Sequence, residues 1–411
     1  MYSTPPHKYA IIGGGAAGCF AAIFIAEHDP SAHVTIYEAG TRLLAKVAVT
    51  GGGRCNLTNS FEGVKSLERV YPRGHRLMKR LFCTFDHREA MSWFEQRGVR
   101  LVTQDDHCVF PRSQDAMEIV ATLHRGLKDV EVKVRHRVSR LSRDEQGRYH
   151  LLFSNEMLGE KTADRVIVTT GGWPKHGEQG FLAPLGLKIE KPVASLFGLC
   201  VNNGALHELT GTVVEDVVVG LTGSRLRAEG PLLITHWGLS GPAILRLSSY
   251  GARQLAEVNY RATLSVNWLG ETDEASALGL IGEMAVKHSS KQLASVYPTV
   301  LNSRLWRFLL EQSGLNPMQR WGELGKKSYH KLANTLINSC YPINGRNRMK
   351  EEFVTCGGVA LSEIHPHSLE SKHHPGLFFA GEVLDVDAVT GGFNLQAAWT
   401  MGRVAAQHAI D

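Results

Sequence analysis

Four stretches of the chain are almost continuously apolar: KYAII at 8–12, HVTIY running up to Glu38, DRVIVTTGG at 164–172 and GLFFAG at 376–381. A strand with one wet face alternates polar and apolar residues, so runs like these predict strands of a parallel sheet covered on both sides. Between the first two lies AAGCFAAIFIAEHD, a small-residue helix expected to end near Asp29-Pro30, where proline stops it. After the last run come an acidic loop, a Gly-Gly pair and a closing helix that starts near Asn394. From about Val193 to Asn344 the pattern changes. GTVVEDVVVGLTG and ATLSVNW read as strands, whereas SALGLIGEMAVKHSSKQLASV and NSRLWRFLLEQSG carry apolar residues at helical spacing. The fold class predicted from these patterns is α/β.

The first strand–helix junction carries Gly13-x-Gly15-x-x-Gly18, and Glu38 follows Gly18 by 20 residues at the end of the second strand. That is the spacing of a dinucleotide-binding unit. Gly13 permits the tight turn, Gly15 lets a pyrophosphate approach the backbone amides of Ala16 and Ala17, and Gly18 lets the helix lie close to the strand. The helix N-terminus adds its partial positive charge. Glu38 is placed to accept the ribose hydroxyls. An N-terminal βαβ unit completed by a C-terminal strand and helix is the layout of two-dinucleotide-fold flavoproteins, which favours FAD over NAD as the resident ligand. In that layout Thr170 and Gly171 cross close to the cofactor, as do Gly381 and Glu382. Asp385 or Asp387 faces the ribityl or phosphate region. The amides of Gly392, Phe393, Asn394 and Leu395 point at the electron-rich edge of a reduced flavin.

Composition narrows the class without naming a chemistry. With 411 residues, 43% hydrophobic and 21% charged, the chain is an ordinary globular protein large enough for two domains. It has no apolar run of about 18 residues, so no transmembrane helix is expected. The N-terminal stretch lacks the blocks of a signal peptide, which predicts a cytoplasmic protein. Seven scattered cysteines without a C-x-x-C pair predict neither a disulfide framework nor a zinc site. His365, His367, His373 and His374 lie in a loop without matching acids, and no metal is expected there. The net charge of +5 is uneven. Residues 284–350 hold eleven lysines and arginines against Glu311 and Glu323, although Glu283, Glu351 and Glu352 flank the block. Such a block is either a solubilising helical face or a surface for a polyanion.

Taken together, IIGGGAAG, KVAVTGGGRCNLTN, GPLLITHWGLSGPAIL, VTCGGVALSEI and GLFFAGEVLDVDAVTGGFNLQAAW resemble the BaiN/RdsA-type NAD(P)/FAD-dependent oxidoreductases. The resemblance implies a Rossmann-like FAD-binding domain split in sequence, 1–192 with 345–411. It also implies an inserted substrate domain at 193–344, β-rich to about residue 270 and helical and basic beyond. It further implies that the glycines of 51–53, Gly52 and Gly53 among them, lie flat against the isoalloxazine ring and deliver Arg54, Cys55 and Asn56 to its edge. Lys46 would serve the ribityl or pyrimidine side. The chain departs from the family in three places. WPKHGEQGFLAPLGL is shorter than the usual loop, Ala388 stands where glycine is usual, and Cys356 where alanine is common.

The resemblance implies a reaction in which NADH or NADPH visits transiently, reduces FAD, and hydride then passes to a conjugated C=C bond. The neighbouring carbon needs a proton. Cys55 is one candidate donor, its alternative being a small packing residue. His236 is the other, its alternative a hydrogen-bonded structural histidine. Family members act on a uridine of large-subunit ribosomal RNA, giving dihydrouridine, or on unsaturated steroid or bile-acid intermediates. The basic block favours ribosomal RNA, with Trp306, Trp321 and Tyr329 as either base-stacking or core residues. A small unsaturated metabolite is the alternative, and a non-catalytic flavin sensor the next.

Overall fold

The computed structural model describes residues 7–173, 178–347 and 354–411. The chain divides into two compact units, Met1–Ser195 with Lys350–Asp411, and Leu196–Met349. Residues 174–177, part of the shortened loop noted above, lie outside the described residues, as do 348–350 at the end of the basic block.

The first unit is built on a five-stranded parallel sheet. Its strands are β1 (Lys8–Ile12), β2 (His33–Tyr37), β3 (Glu131–Lys133), β4 (Arg165–Val168) and β5 (Leu377–Phe379), in the spatial order β5-β4-β1-β2-β3. The C-terminal strand therefore pairs with β4 in register Val166–Leu377, and β4 with β1 in register Ile11–Ile167. Helix α1 (Ala16–His28) follows β1 and is buried continuously from Ala17 to Ile25, which is why it has no polar stripe. Full burial of Phe20, Ile23 and Ile25 contributes roughly 1.5–3 kcal/mol each. Phe20 sits among Trp93 (4.6 Å between ring centres), Phe85 (5.4 Å) and Trp399 (5.7 Å). Trp399 belongs to the closing helix α2 (Phe393–Ile410), which packs on α1 so tightly that a Cβ on Gly402 would stand 2.5 Å from the Ala17 carbonyl oxygen.

The second unit holds a closed barrel of strands Leu199–Val201, Gly238–Ser240, Arg227–Thr235, Val213–Leu221, Ala262–Asn267 and Ser339–Arg346, in that order around the wall. The last of these lies in the part of the sequence read as helical. Its alternation, with Ser339, Tyr341 and Ile343 inward and Cys340, Pro342 and Asn344 outward, marks it as a strand. The helix expected across 276–296 is shorter. It runs Glu274–Lys287, capped by Asp273 accepting from the Ser276 amide, and breaks at His288 before the polar Ser289-Ser290. Trp306 and Trp321 are fully buried and stacked on each other at 6.1 Å, so they are core residues and neither presents a face to a base. Tyr329 is half-buried.

Candidate cofactor site

The fingerprint glycines fall into two groups by what surrounds them. A Cβ on Gly13 would lie 2.5 Å from the Thr169 carbonyl oxygen and one on Gly18 2.1 Å from the Gly13 carbonyl oxygen. These glycines are needed by the protein's own packing, and Gly13 also adopts φ +111°. Gly15 differs: a Cβ there would meet no atom within 4 Å. Gly15 is also the N-cap of α1, and no side chain caps the helix. The backbone at Gly15 is therefore open at the positive end of the helix dipole, which fits a pyrophosphate.

Glu38 closes this loop from below. Its two oxygens accept from the amides of Gly14 (2.7 Å) and Gly40 (2.6 Å), and each keeps a second lone pair for a ribose hydroxyl. At the C-terminal end of β4 and β5, the Glu382 carboxylate accepts from Gly172 N (3.2 Å), Thr355 N (2.6 Å) and Lys46 Nζ (3.1 Å). It thus joins three of the segments singled out in the sequence. Gly171 takes φ +72° there, Gly381 takes φ +84°, and Thr170 Oγ1 accepts from Trp173 Nε1.

The glycine run resolves into an unusual turn. Gly51, Gly52 and Gly53 have φ of +57°, +67° and +82°, and Cys55 follows at +60°. Successive left-handed residues coil the backbone opposite to an ordinary helix, which only glycine does without steric cost. Gly52 and Gly53 have nothing within 4 Å of a Cβ position, so a ligand ring can lie against that backbone. Arg54 is exposed, with Nε donating to Gly51 O and its guanidinium 4.6 Å over the Phe110 ring. With its amide turned to satisfy both neighbours, Asn56 donates to Thr58 O and accepts from Gly392 N at 3.2 Å. Gly392, at φ +86°, begins α2, and a Cβ on it would stand 2.3 Å from Thr58 O. Thr58 Oγ1 donates to Gln396 Oε1 (2.6 Å), and the Asn394 amide clamps Ala388 through both N and O (2.9 Å each). Phe393 is buried and holds Tyr71 through its carbonyl, whereas Leu395 is half-buried on the same turn.

Both chain ends and the glycine turn thus converge on one helix. Gly402, ten residues after Gly392, touches α1 beside Ala17, while Gly392 touches the segment that follows the glycine turn, so the two contacts stand about 15 Å apart along the helix. An extended dinucleotide is long enough to span such a distance.

Two candidate residues have other roles. Cys55 is fully enclosed by protein, and burial pushes its thiol up to about 12, with Thr50 pulling slightly back. A thiol that nothing reaches is a packing residue and not the acid considered above. Asp387 is also buried, and its carboxylate is engaged by Arg73 and the Ser195 hydroxyl (2.8 Å), which leaves it no ribityl contact. Arg73 carried no signal in the sequence, since its partner is 314 positions away. Asp385 accepts from Gly357 N at 3.0 Å. In the second unit His236 is exposed, at the hairpin between Arg227–Thr235 and Gly238–Ser240.

A parallel sheet with a glycine-capped helix after its central strand, closed by a C-terminal strand and helix, is a Rossmann-like FAD-binding fold, and the class is that of flavin-dependent oxidoreductases. The chain belongs to the HI0933-like protein Rossmann domain family, whose model matches residues 7–408. It is 28% identical to 3-dehydro-bile acid delta(4,6)-reductase of Clostridium scindens, over 98% of this chain and 99% of that one. It is also 28% identical to the ribosomal RNA dihydrouridine synthase of Escherichia coli, over 97% of each. Among solved structures, 3-ketosteroid delta1-dehydrogenase from Sterolibacterium denitrificans superposes with a TM-score of 0.49 at 11% identity, covering 99% of both chains.

Proposed function

We propose that the protein uses NADH or NADPH to reduce the C=C bond of a uridine in large-subunit ribosomal RNA. Relatives of equal identity act on a bile acid and on ribosomal RNA, so similarity alone does not choose between the substrates. The observation that carries the reading is charge. Lys287, Lys291, Arg307, Lys326, Lys327 and Lys331 are all exposed, and none forms an ion pair among the described residues. Phosphates satisfy such unpaired cations, whereas a steroid asks for an enclosed apolar pocket.

Bound FAD would supply hydride from its reduced ring. The chain's own residues do the rest. The amides at Ala16 and Ala17 hold the pyrophosphate, Glu38 the ribose, and Glu382 fixes the loops carrying Lys46 and Gly172. The turn at Gly52–Gly53 bears the ring, with Arg54 and Asn56 at its edge. The first turn of α2, at Phe393, Asn394 and Leu395, with Gly392 N held by Asn56, would place the positive end of the helix dipole toward negative charge on a reduced ring. Of the two candidate donors Cys55 is enclosed and His236 is exposed, and the proton for the second carbon is assigned to neither. Mass spectrometry of ribosomal RNA nucleosides from cells with and without the gene tests the substrate. Loss of one dihydrouridine on deletion is expected. An unchanged profile, with saturable turnover of a steroid enone by the purified protein, would reverse the choice. Anaerobic bleaching of the flavin by NADH or NADPH separates an enzyme from a sensor.

A further inference from the structure

The second unit carries a cavity of about 680 Å³, open to solvent, whose lining includes Asn259, Tyr260, Arg261, Asn344 and Arg346. Its rim begins where the helix Ala252–Glu257 ends in a Schellman motif: Tyr260 N donates to Leu255 O and Asn259 N to Ala256 O. That motif requires one left-handed residue after the cap, and Asn259 at φ +52° provides it. It does not require the next residue to be left-handed. Tyr260 nevertheless adopts φ +58°, a conformation an aromatic residue takes only when its surroundings impose it. Here the surroundings are Phe197, edge-on at 5.3 Å, and the Arg346 guanidinium, 5.2 Å from the ring centre. The strained turn thus holds the Tyr260 ring at the cavity with the Arg346 guanidinium over it. The adjacent Arg261 is exposed and has no side-chain partner among the described residues.

An aromatic ring with a guanidinium over it, beside the unpartnered Arg261 guanidinium and two amide side chains, matches a phosphorylated nucleoside. The base lies on the ring, its edge meets Asn259 or Asn344, and the phosphate meets Arg261. We propose that this cavity receives one nucleotide of a single-stranded RNA segment, a reading that rests on the RNA substrate assigned above. Its openness suits a strand that enters and leaves. A free nicotinamide nucleotide shares the chemistry and is the competing source.

The test uses the full-length holoprotein and a fluorescein-labelled single-stranded RNA of about twelve nucleotides. In anisotropy titrations, Arg261→Ala is expected to weaken binding about tenfold and to lower the salt dependence by about one ion. Tyr260→Ala is expected to weaken it about tenfold and Tyr260→Phe to leave it unchanged, because stacking needs the ring only. Melting temperatures and flavin content identify any variant that fails to fold, and Arg261→Gln replaces one that does. If wild type binds RNA and the Arg261 and Tyr260→Ala variants bind equally well, the cavity proposal is wrong while the RNA reading stands. If wild type itself does not bind, both fall. If Arg261→Ala leaves RNA binding intact but raises the NADPH concentration needed for flavin reduction, the cavity belongs to the nicotinamide nucleotide and the proposal is overturned.

Discussion

Arg73 and Asp387 lie 314 positions apart and meet as a buried two-point ion pair, with Nε donating to Oδ1 at 2.5 Å. Burial pushes the Asp387 carboxyl up, and the guanidinium and the Ser195 hydroxyl pull it back. Together they fix the loop of residues 385–392 that leads into α2. Removing one partner strands a charge inside the protein, so Arg73→Met is expected to cost about 3–5 kcal/mol in urea unfolding. The double variant Arg73→Met with Asp387→Leu removes both charges and should recover much of that loss. Equal losses in the single and double variants would mean the pair does not hold the loop.

The contrast between Gly15 and Gly18 separates cofactor binding from folding. A Cβ at position 18 collides with backbone at 2.1 Å, and Gly18→Ala should cost about 1–3 kcal/mol through overpacking. A Cβ at position 15 meets no protein atom, and its φ of −84° suits alanine. The FAD-free Gly15→Ala protein should therefore melt like wild type. Its FAD dissociation constant should rise at least about tenfold, because a phosphate contact of roughly 1.5–3 kcal/mol is obstructed. Fluorescence titration of the apoprotein measures it, and unchanged affinity would remove Gly15 from the site.

His150 bridges two carboxylates on a surface hairpin, with Nδ1 2.5 Å from Glu160 and Nε2 2.9 Å from Asp144. Hydrogen bonds to Asp144 and then Glu160 raise the imidazole above its ordinary 6.5, and the bond from His150 lowers Asp144 to about 2. A raised histidine contributes stability that is complete below 6.5 and disappears as pH rises through the folded value. A lowered aspartate contributes above 3.8 and loses its contribution as pH falls toward 2. Both terms are complete between about pH 4 and 6.5. The melting temperature of His150→Gln should fall furthest below wild type there, and the gap should close in alkali. A gap that is constant from pH 5 to 9 would mean that the bridge is not ionic.

The parts of the molecule visible in the sequence are those encoded locally. The turn at Gly13–Gly18 and the acid at Glu38 obey a fixed spacing, and continuous apolar runs reveal buried parallel strands whatever their partners. Arg73 was invisible because its meaning comes from a partner hundreds of positions away. The strand Ser339–Arg346 was hidden by its proline and by the helix before it, although Tyr341 and Ile343 show the alternation. Trp306 illustrates a different limit: an aromatic on an amphipathic helix has the same spacing whether it meets a ligand or a neighbouring tryptophan such as Trp321, and only packing distinguishes the two.

Cys55 is the sharpest instance of that limit. In the sequence it stands beside three glycines as though delivered to a reacting atom, yet it is fully enclosed, with a thiol that stays protonated across the physiological range. A true general acid contributes about a hundredfold or more to turnover, so its removal could not go unnoticed. Cys55→Ala is instead expected to keep the rate constant for flavin reoxidation by substrate within about threefold of wild type, with an unchanged pH profile. Its cost should appear in stability, roughly 1 kcal/mol for the lost buried sulfur. Stopped-flow oxidation of the reduced enzyme decides the matter. A hundredfold slower reoxidation in a variant that still melts normally would return Cys55 to the reacting centre.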